Sequence, residues 1–418
     1  MKKKNASFLF VFLLISVLCF SQTGVFWFGD STSNLINNRI ISIKENTNGD
    51  LFLMGKASDE TYKNIHPYWA VCDKSGTLKS QVTLPTTNQF YELNNFTICS
   101  SDRIRMWGTE SVNQKLTISL NTINGKGELQ GQDAIMTNTT TLTGDVCQLD
   151  EMYAVLAKTV QSSSTGKYHI SIYQYNLQTD EQTWYKTLAT DDNEEASKVV
   201  AMKDGSLIVL GKLYNEKLTA YSTLIYKLSA TGEIIWKKNI PGYDTFFAQG
   251  VSEGKNKSLV YVCSVGSDEL EMGNTEIFQL DSDGTVQSQK EIEDIRANGV
   301  LTLKDGNIFV YGSHVQKKGI YIITKSAYKI YSPGMQLIKE EEMGLMDGPD
   351  AYIPSIFMST FPTSSDFLTA VQLKDGRIAC AGRVYLPKKF SSDVMQLSDR
   401  HNDAFLVIMD ANGKFRKE

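Results

Sequence analysis

Short apolar stretches, each ended by a polar turn signal, run through nearly the whole chain. In the clearest form Lys-Asp-Gly leads through one polar residue into four apolar ones and closes on a second glycine: residues 203–211 (KDGSLIVLG), 304–312 (KDGNIFVYG) and 374–382 (KDGRIACAG). A fourth copy runs from Asn48-Gly49 to Gly55, and in all four the two glycines are six apart, so the turn and the strand after it have fixed length. Weaker copies lie at Asp102 to Gly108, Glu151 to Ala157 and Lys257 to Cys263. Taking positions 49, 102, 151, 205, 257, 306 and 376 as equivalent gives spacings of 53, 49, 54, 52, 49 and 70, so seven units tile the chain. A second hairpin signal follows about 27 residues downstream in the best copies, at Cys72 to Gly76, Leu228 to Glu233, Leu280 to Gly284 and Met409 to Gly413. Asp-Gly and Asn-Gly pairs supply the positive φ that tight hairpins need. Two hairpins make four strands per unit.

Four short antiparallel strands every ~50 residues match the blade of a β-propeller. The period-two patterning and the β-branched and aromatic content exclude a stack of helices. The expected fold is all-β: a seven-bladed β-propeller of four-stranded antiparallel blades, with residues 22–418 forming one domain. The chain stops at Lys414 to Glu418, just after the turn to the last unit's fourth strand, while Val25-Phe26-Trp27-Phe28-Gly29 resembles the fourth strand Ile234-Ile235-Trp236. The N-terminal strand is therefore expected to complete the last blade and close the ring, which removes free sheet edges. The 70-residue spacing implies an insertion at 335–367 between blades six and seven, carrying Glu340, Glu341 and Glu342. A loop of that length is a candidate cap on the channel.

Composition changes the picture in two ways. The chain has 418 residues, 41% hydrophobic and 21% charged, too apolar for a disordered protein, with a net charge of −5 that argues against nucleic acid as a partner. Its first residues are an address: Lys2, Lys3 and Lys4 precede an apolar run from Phe8 to Phe20, with small side chains at Cys19 and Ser21 before Gln22. Residues 1–21 thus read as a secretory signal peptide, too short for a spanning helix, and Leu18 disfavours lipid attachment at Cys19. The expected location is the periplasm or the cell surface, with no transmembrane segment. Five cysteines remain after cleavage, without close pairs, and read as buried thiols.

The phrase Asp204 to Gly211, followed by Tyr226-Lys227-Leu228-Ser229-Ala230-Thr231-Gly232-Glu233-Ile234-Ile235-Trp236, resembles the blades of secreted bacterial β-propellers, especially those of Bacteroidetes. The Phe20-Ser21-Gln22 signal end is similar to signals of that group. The resemblance covers nearly the whole mature chain and implies fold and source, without a catalytic motif to carry over.

Alternating connections of an up-and-down sheet lie at opposite ends. One face of the ring therefore carries the tight turns and the other carries the long second-to-third-strand and blade-to-blade loops, where binding residues concentrate. The loops feeding the innermost strands hold the candidate ligand-binding residues: Arg39; Tyr91 and Glu92; Asp191, Asp192 and Glu195; Tyr243 and Asp244; Asp294 and Arg296. Aromatic faces beside carboxylates and amides suit a glycan or a protein partner. His66, His314 and His401 fall in second-to-third-strand loops of blades one, six and seven, and form a conceivable metal cluster without the close His pair of helical zinc sites. Asp281-Ser282-Asp283-Gly284 resembles the start of a calcium loop, but position 292 is Ile, so a hairpin suffices. No nucleophile elbow, phosphate loop or dinucleotide fingerprint is present, and no catalytic residue or cofactor is assigned. The expected function is a secreted, non-catalytic binding or scaffold protein presenting its long-loop face to a glycan or protein partner. The alternative is a carbohydrate-active hydrolase or lyase with paired carboxylates near the channel.

Overall fold

A computed structural model describes residues 24–28, 37–59, 65–84, 89–100, 103–112, 115–139, 144–188, 190, 192–215, 220–241, 246–265, 274–318, 321–343, 364–387 and 400–415. Among them are 28 strands and a single 3-10 turn, Lys255–Lys257. After β1 (Gly24–Phe28), the first blade is β2 (Asn37–Glu45), β3 (Leu51–Ser58), β4 (Ile65–Cys72) and β5 (Leu78–Thr83). The second is β6 (Gln89–Ser100), β7 (Arg103–Val112), β8 (Lys115–Ile123) and β9 (Leu129–Thr139); the third is β10 (Gly144–Gln148), β11 (Tyr153–Gln161), β12 (Tyr168–Asn176) and β13 (Gln182–Leu188). The fourth is β14 (Asn193–Ala201), β15 (Leu207–Asn215), β16 (Ala220–Leu228) and β17 (Ile234–Pro241); the fifth is β18 (Phe246–Glu253), β19 (Leu259–Val265), β20 (Asn274–Leu280) and β21 (Val286–Ile292). The sixth is β22 (Ile295–Thr302), β23 (Ile308–Lys318), β24 (Tyr321–Tyr331) and β25 (Leu337–Glu342), and the seventh is β26 (Ser364–Gln372), β27 (Ile378–Pro387) and β28 (Arg400–Met409). The protein is a seven-bladed propeller of four-stranded antiparallel sheets. Blade one touches its neighbours through single bridges, Asn37 to Asn402 and Ile65 to Phe90.

Burial explains the patterning. Second strands lie between two neighbouring sheets and are buried on both faces, as Leu207, Ile208, Val209 and Leu210 are, so they read as unbroken apolar runs. Fourth strands face solvent on one side and alternate, β17 and β25 most plainly. The core is distributed: seven apolar clusters lie one at each junction between adjacent blades, including that of the seventh with the first (Leu373, Ala379 and Leu406 with Ile40, Leu53 and Tyr68). Cys72, Cys263 and Cys380 are buried in these clusters, and all five cysteines described are free thiols.

The tight turns share one geometry. In the turn between β14 and β15 the Met202 carbonyl accepts the Gly205 amide, and Met202 N–H donates to Ser206 O; Gly205 has φ +81°, which glycine adopts without strain. In two of the three Lys-Asp-Gly copies the lysine side chain reaches the next blade. Lys304 Nζ donates to the Leu373 and Lys374 carbonyls, and Lys374 Nζ donates to Asn46 O, joining blade seven to blade one.

β1 runs antiparallel to β28 along its outer edge, from Gly24 opposite Ile408 to Phe28 opposite Ala404. The ring of Phe26 lies against Gly76 of blade one, as Trp184 lies against Gly232 and Trp236 against Gly284. The aromatic in that place is Phe26, one residue before the Trp27 that the sequence resemblance would align. The expected insertion is also narrower than 335–367. Met335 closes the hairpin from Ser332, 337–342 form β25, and 364–367 belong to β26, leaving 344–363 outside the described residues. The acidic triplet pairs across and beside its strand: Glu340 with Lys329 (3.1 Å), Glu341 with Lys339 (3.0 Å) and Glu342 with Lys325 (3.2 Å). Among the described residues no helix is long and apolar enough to cross a membrane.

Candidate functional site: the mouth of the central channel

The innermost strands, β2, β6, β10, β14, β18, β22 and β26, are not laddered to one another around the axis, apart from what their side chains supply. Asn94 Nδ2 donates to Gly144 O (2.9 Å), Asn95 Nδ2 to Val146 O (2.8 Å) and Asn298 Nδ2 to Phe367 O (2.7 Å), each from one blade to the next. Six of the seven strands carry a β-bulge at the same depth, leaving Ile41, Asn94, Ser197, Gln249, Asn298 and Leu368 outside the pairing. A bulge re-aims side chains locally. It also accounts for the closing glycine of the repeated phrase: a Cβ at Gly382 would sit 1.8 Å from Asp366 O, and one at Gly312 would sit 2.1 Å from Arg296 O.

Two cavities lie along the axis. One, of ≈ 380 Å³, opens where the inner strands begin, at the end opposite the tight turns; the other, of ≈ 710 Å³, extends toward those turns. Contrary to expectation, the connections at the mouth end are not uniformly long: β7–β8, β21–β22 and β23–β24 are joined by two residues each, whereas β25–β26 and β27–β28 are joined by long segments. Both are lined by Ile41, Asn94, Asp145, Lys198, Gln249, Asn298 and Leu368, one residue from each inner strand. These seven form a collar between the mouth and the lower chamber.

The mouth cavity is strongly charged. Arg39, Lys56, Lys198 and Lys212 line it together with Glu92, Asp145 and Glu195. Burial pushes the Glu92 carboxyl up, against the pull of Lys56, Lys158 and Lys198. Its Oε2 is buried with no hydrogen-bond partner among the described residues. Burial lowers Lys56 to about 8, with Arg39 adding to the effect and Glu92 opposing it, and it lowers Lys158 to about 8, opposed by Glu92. Lys212 is likewise lowered by burial, with Glu195 opposing. In the lower chamber burial brings Lys44 to about 8, and its ammonium lies 5.0 Å from the Phe96 ring centroid.

A second pocket of ≈ 330 Å³ adjoins the mouth and shares Glu195 and Lys212 with it; Tyr168, Tyr214 and Tyr221 supply its apolar faces. Tyr214 and Tyr221 are 4.9 Å apart between centroids, tilted by 42°, and Lys212 Nζ lies 4.1 Å from the Tyr221 centroid. Mouth and pocket together offer a charged well beside an aromatic shelf.

Of the residues expected from sequence, Arg39, Glu92 and Glu195 come together at the mouth from three blades. They belong to β2, β6 and β14 rather than to loops, because the strands begin earlier than the apolar pattern does. Arg296, on β22, sits 3.9 Å from Asp366, which also accepts both Nε and Nη2 of Arg383 at 3.1 Å. Asp294 is away from the axis, in the turn between β21 and β22 and beside a ≈ 260 Å³ cavity with His314 and Glu340 to Glu342. Asp192 lies just before β14, its amide 3.3 Å from Thr190 Oγ1. Tyr91 falls at a bulge of β6, and its side chain lies outside the described residues, as do Asp191, Tyr243 and Asp244.

The histidines are strand residues, not loop residues: His66 in β4, His314 in β23 and His401 in β28. His66 Nδ1 is 3.4 Å from Leu84 O, and His314 pairs with Glu342; the His401 side chain lies outside the described residues. Among the described residues no group of three His, Cys, Asp or Glu side chains is placed to hold a metal. At Asp281 the carboxylate accepts the amides of Asp283 (3.0 Å) and Thr285 (2.9 Å), the work of a hairpin turn.

Sequence reasoning missed Lys56, Lys158, Lys212 and Arg383. Their signal was in the repeat: each follows the closing position of the phrase (Gly55, Ala157, Gly211, Gly382), a place where basic residues recur. Lys198 and Asp145 had no such signal, since only the bulges and the ring closure bring them to the axis.

No family model and no curated protein matches the chain. Among solved structures it is similar to the NanB sialidase from Streptococcus pneumoniae (11% identity, 96% of this chain and 72% of that one, TM-score 0.48). It is also similar to Sqt1 from Chaetomium thermophilum (12% identity, 94% and 99%, TM-score 0.47) and to a protein of unknown function from Bacteroides caccae (9% identity, 74% and 94%, TM-score 0.38). Such distant likenesses extend no further than the propeller fold.

Proposed function

We propose that the protein is a secreted, non-catalytic binding propeller that holds a glycan at the mouth of its central channel. The observation that carries the reading is the shared wall of Glu195 and Lys212, which joins a well of charged and amide side chains to the Tyr168, Tyr214 and Tyr221 shelf. Sugar rings stack on aromatic faces while their hydroxyls bond carboxylates and amides, so the two halves suit adjacent residues of an oligosaccharide. Secretion is supported by the basic head, apolar run and small residues of positions 1–21.

The second reading, a glycoside hydrolase or lyase, has one observation in its favour: Glu92 is a buried carboxyl pushed upward, as a general acid needs, in a cavity with two further carboxylates. One experiment separates the two. Residues 22–418 are incubated with a panel of oligosaccharides, and binding is measured by calorimetry alongside product release. Binding without turnover, weakened at least tenfold by Tyr221→Ala and by Glu195→Ala, is the expected result. Product formation abolished by Glu92→Gln would establish the enzyme instead, and binding indifferent to both variants would remove the site from the mouth.

A further inference from the structure

We infer that the saccharide held at the mouth is acidic, its anionic group seated between Lys56 and Lys198 beside Glu92, with the buried Lys158 adding its charge near Glu92; this rests on the glycan reading. The seven blades differ at one equivalent position. The position after the phrase's closing residue faces the inner strand at the mouth. It is Lys56, Thr109, Lys158, Lys212, Ser264, Ser313 and Arg383 in blades one to seven, opposite Arg39, Glu92, Gly144, Glu195, Phe247, Arg296 and Asp366.

Three blades place a neutral hydroxyl residue there, so the fold does not require a cation. In blades four and seven the cation faces an acid, Lys212 opposite Glu195 and Arg383 opposite Asp366. In blades one and three it does not: Lys56 faces Arg39, and Lys158 faces a glycine. Neither lysine has a carboxylate within 4 Å among the described residues. Lys158 is only 2% exposed, and both flank the blade that contributes Glu92. Five cations, Arg39, Lys56, Lys158, Lys198 and Lys212, thus gather in and beside the mouth against three carboxylates, Glu92, Asp145 and Glu195, in a chain that is acidic overall.

Burying cations without matching anions is costly unless a ligand supplies the charge. A carboxylate or a sulfate would meet this need, charge-assisted hydrogen bonds being the strong ones. The unpartnered Glu92 Oε2 would then accept a sugar hydroxyl. Lys56 and Lys158 are lowered to about 8, so they are cationic at neutral pH and lose their protons in mild alkali, while Arg39 keeps its charge.

The test uses residues 22–418 with three probes of matched length: oligogalacturonate, a sulfated dextran oligosaccharide and neutral dextran. Expected is binding of an acidic probe at pH 7, reduced at least tenfold at pH 9.5. Lys56→Met and Lys158→Thr should each reduce it at least tenfold, the second placing at 158 the residue type blade two already holds; circular dichroism checks the fold. Lys56→Arg should retain binding and lose part of the alkaline decline. Preference between the two acidic probes identifies the anionic group. Equal binding of neutral dextran, with a flat pH profile and still dependent on Tyr221, would overturn the acidic inference and leave the glycan reading standing. No binding of any probe would overturn both.

Discussion

Gly382 and Gly131 are both strand glycines, yet their neighbourhoods differ completely. A Cβ at Gly382 meets Asp366 O at 1.8 Å, backbone that the bulge holds in place, whereas nothing lies within 4 Å of a Cβ at Gly131. Gly382→Ala is expected to cost at least about 2 kcal/mol through overpacking, and Gly131→Ala is expected to be neutral or to stabilise by up to ~1 kcal/mol by restricting the unfolded chain. Urea denaturation of the two variants compares them directly. Lys158 is the second residue whose environment sets a sign. Its proton affinity is lower folded, near 8, than the 10.5 of a free lysine, so the burial cost is fully present below pH 8 and fades as pH rises toward 10.5. Lys158→Met should therefore be more stable than the wild type at pH 7, by at most on the order of 3 kcal/mol since Glu92 loses a neighbouring cation. That advantage should shrink by pH 10. Equal stabilisation at both pH values would mean that the charge at 158 was not the cause.

At the scale of elements, the hairpin turn is the unit that sequence reveals best, because its cause is local. Asp204 accepts the Ser206 hydroxyl (2.5 Å) and amide (3.0 Å), which with Lys257 beside it hold the carboxyl well below the usual carboxylate range. The stabilisation is present above the unfolded value near 4 and is lost as pH falls below it. Asp204→Ala should cost about 1 kcal/mol at pH 7, with a smaller difference at pH 2.5 in the same denaturation assay. An undiminished difference in acid would show that the carboxylate's charge is not what braces the turn. The inner strands were harder to read. Their polar and aromatic starts resemble loops, and that is why Arg39, Glu92 and Glu195 were expected outside strands. They extend because the second strand continues opposite them, and that pairing lies beyond any local signal.

For the whole molecule, seven apolar junctions distribute stability around a ring, and the junction between first and last blades completes it. β1 contributes Phe28, 2% exposed, and Phe26 to that junction. A chain beginning at residue 29 should lose about 4 kcal/mol from these two side chains and expose the β28 edge to self-association. Thermal unfolding and sedimentation check both effects, and a peptide of residues 22–29 should restore part of the loss. An unchanged melting temperature would show that β1 is dispensable. The repeat period, the strand count per blade, the tight hairpin turns and the propeller class were all legible in the chain, because each follows from spacing, turn chemistry and alternation within a few residues. The charged well was legible only in part. Arg39, Glu92 and Glu195 stood out as polar residues near inner strands, but nothing local distinguished them from Asp294, which lies off the axis. Which cations face an acid, and which face each other across a collar of seven side chains, depends on bulges and on bringing together residues some fifty positions apart. Only closing the circle sets those distances.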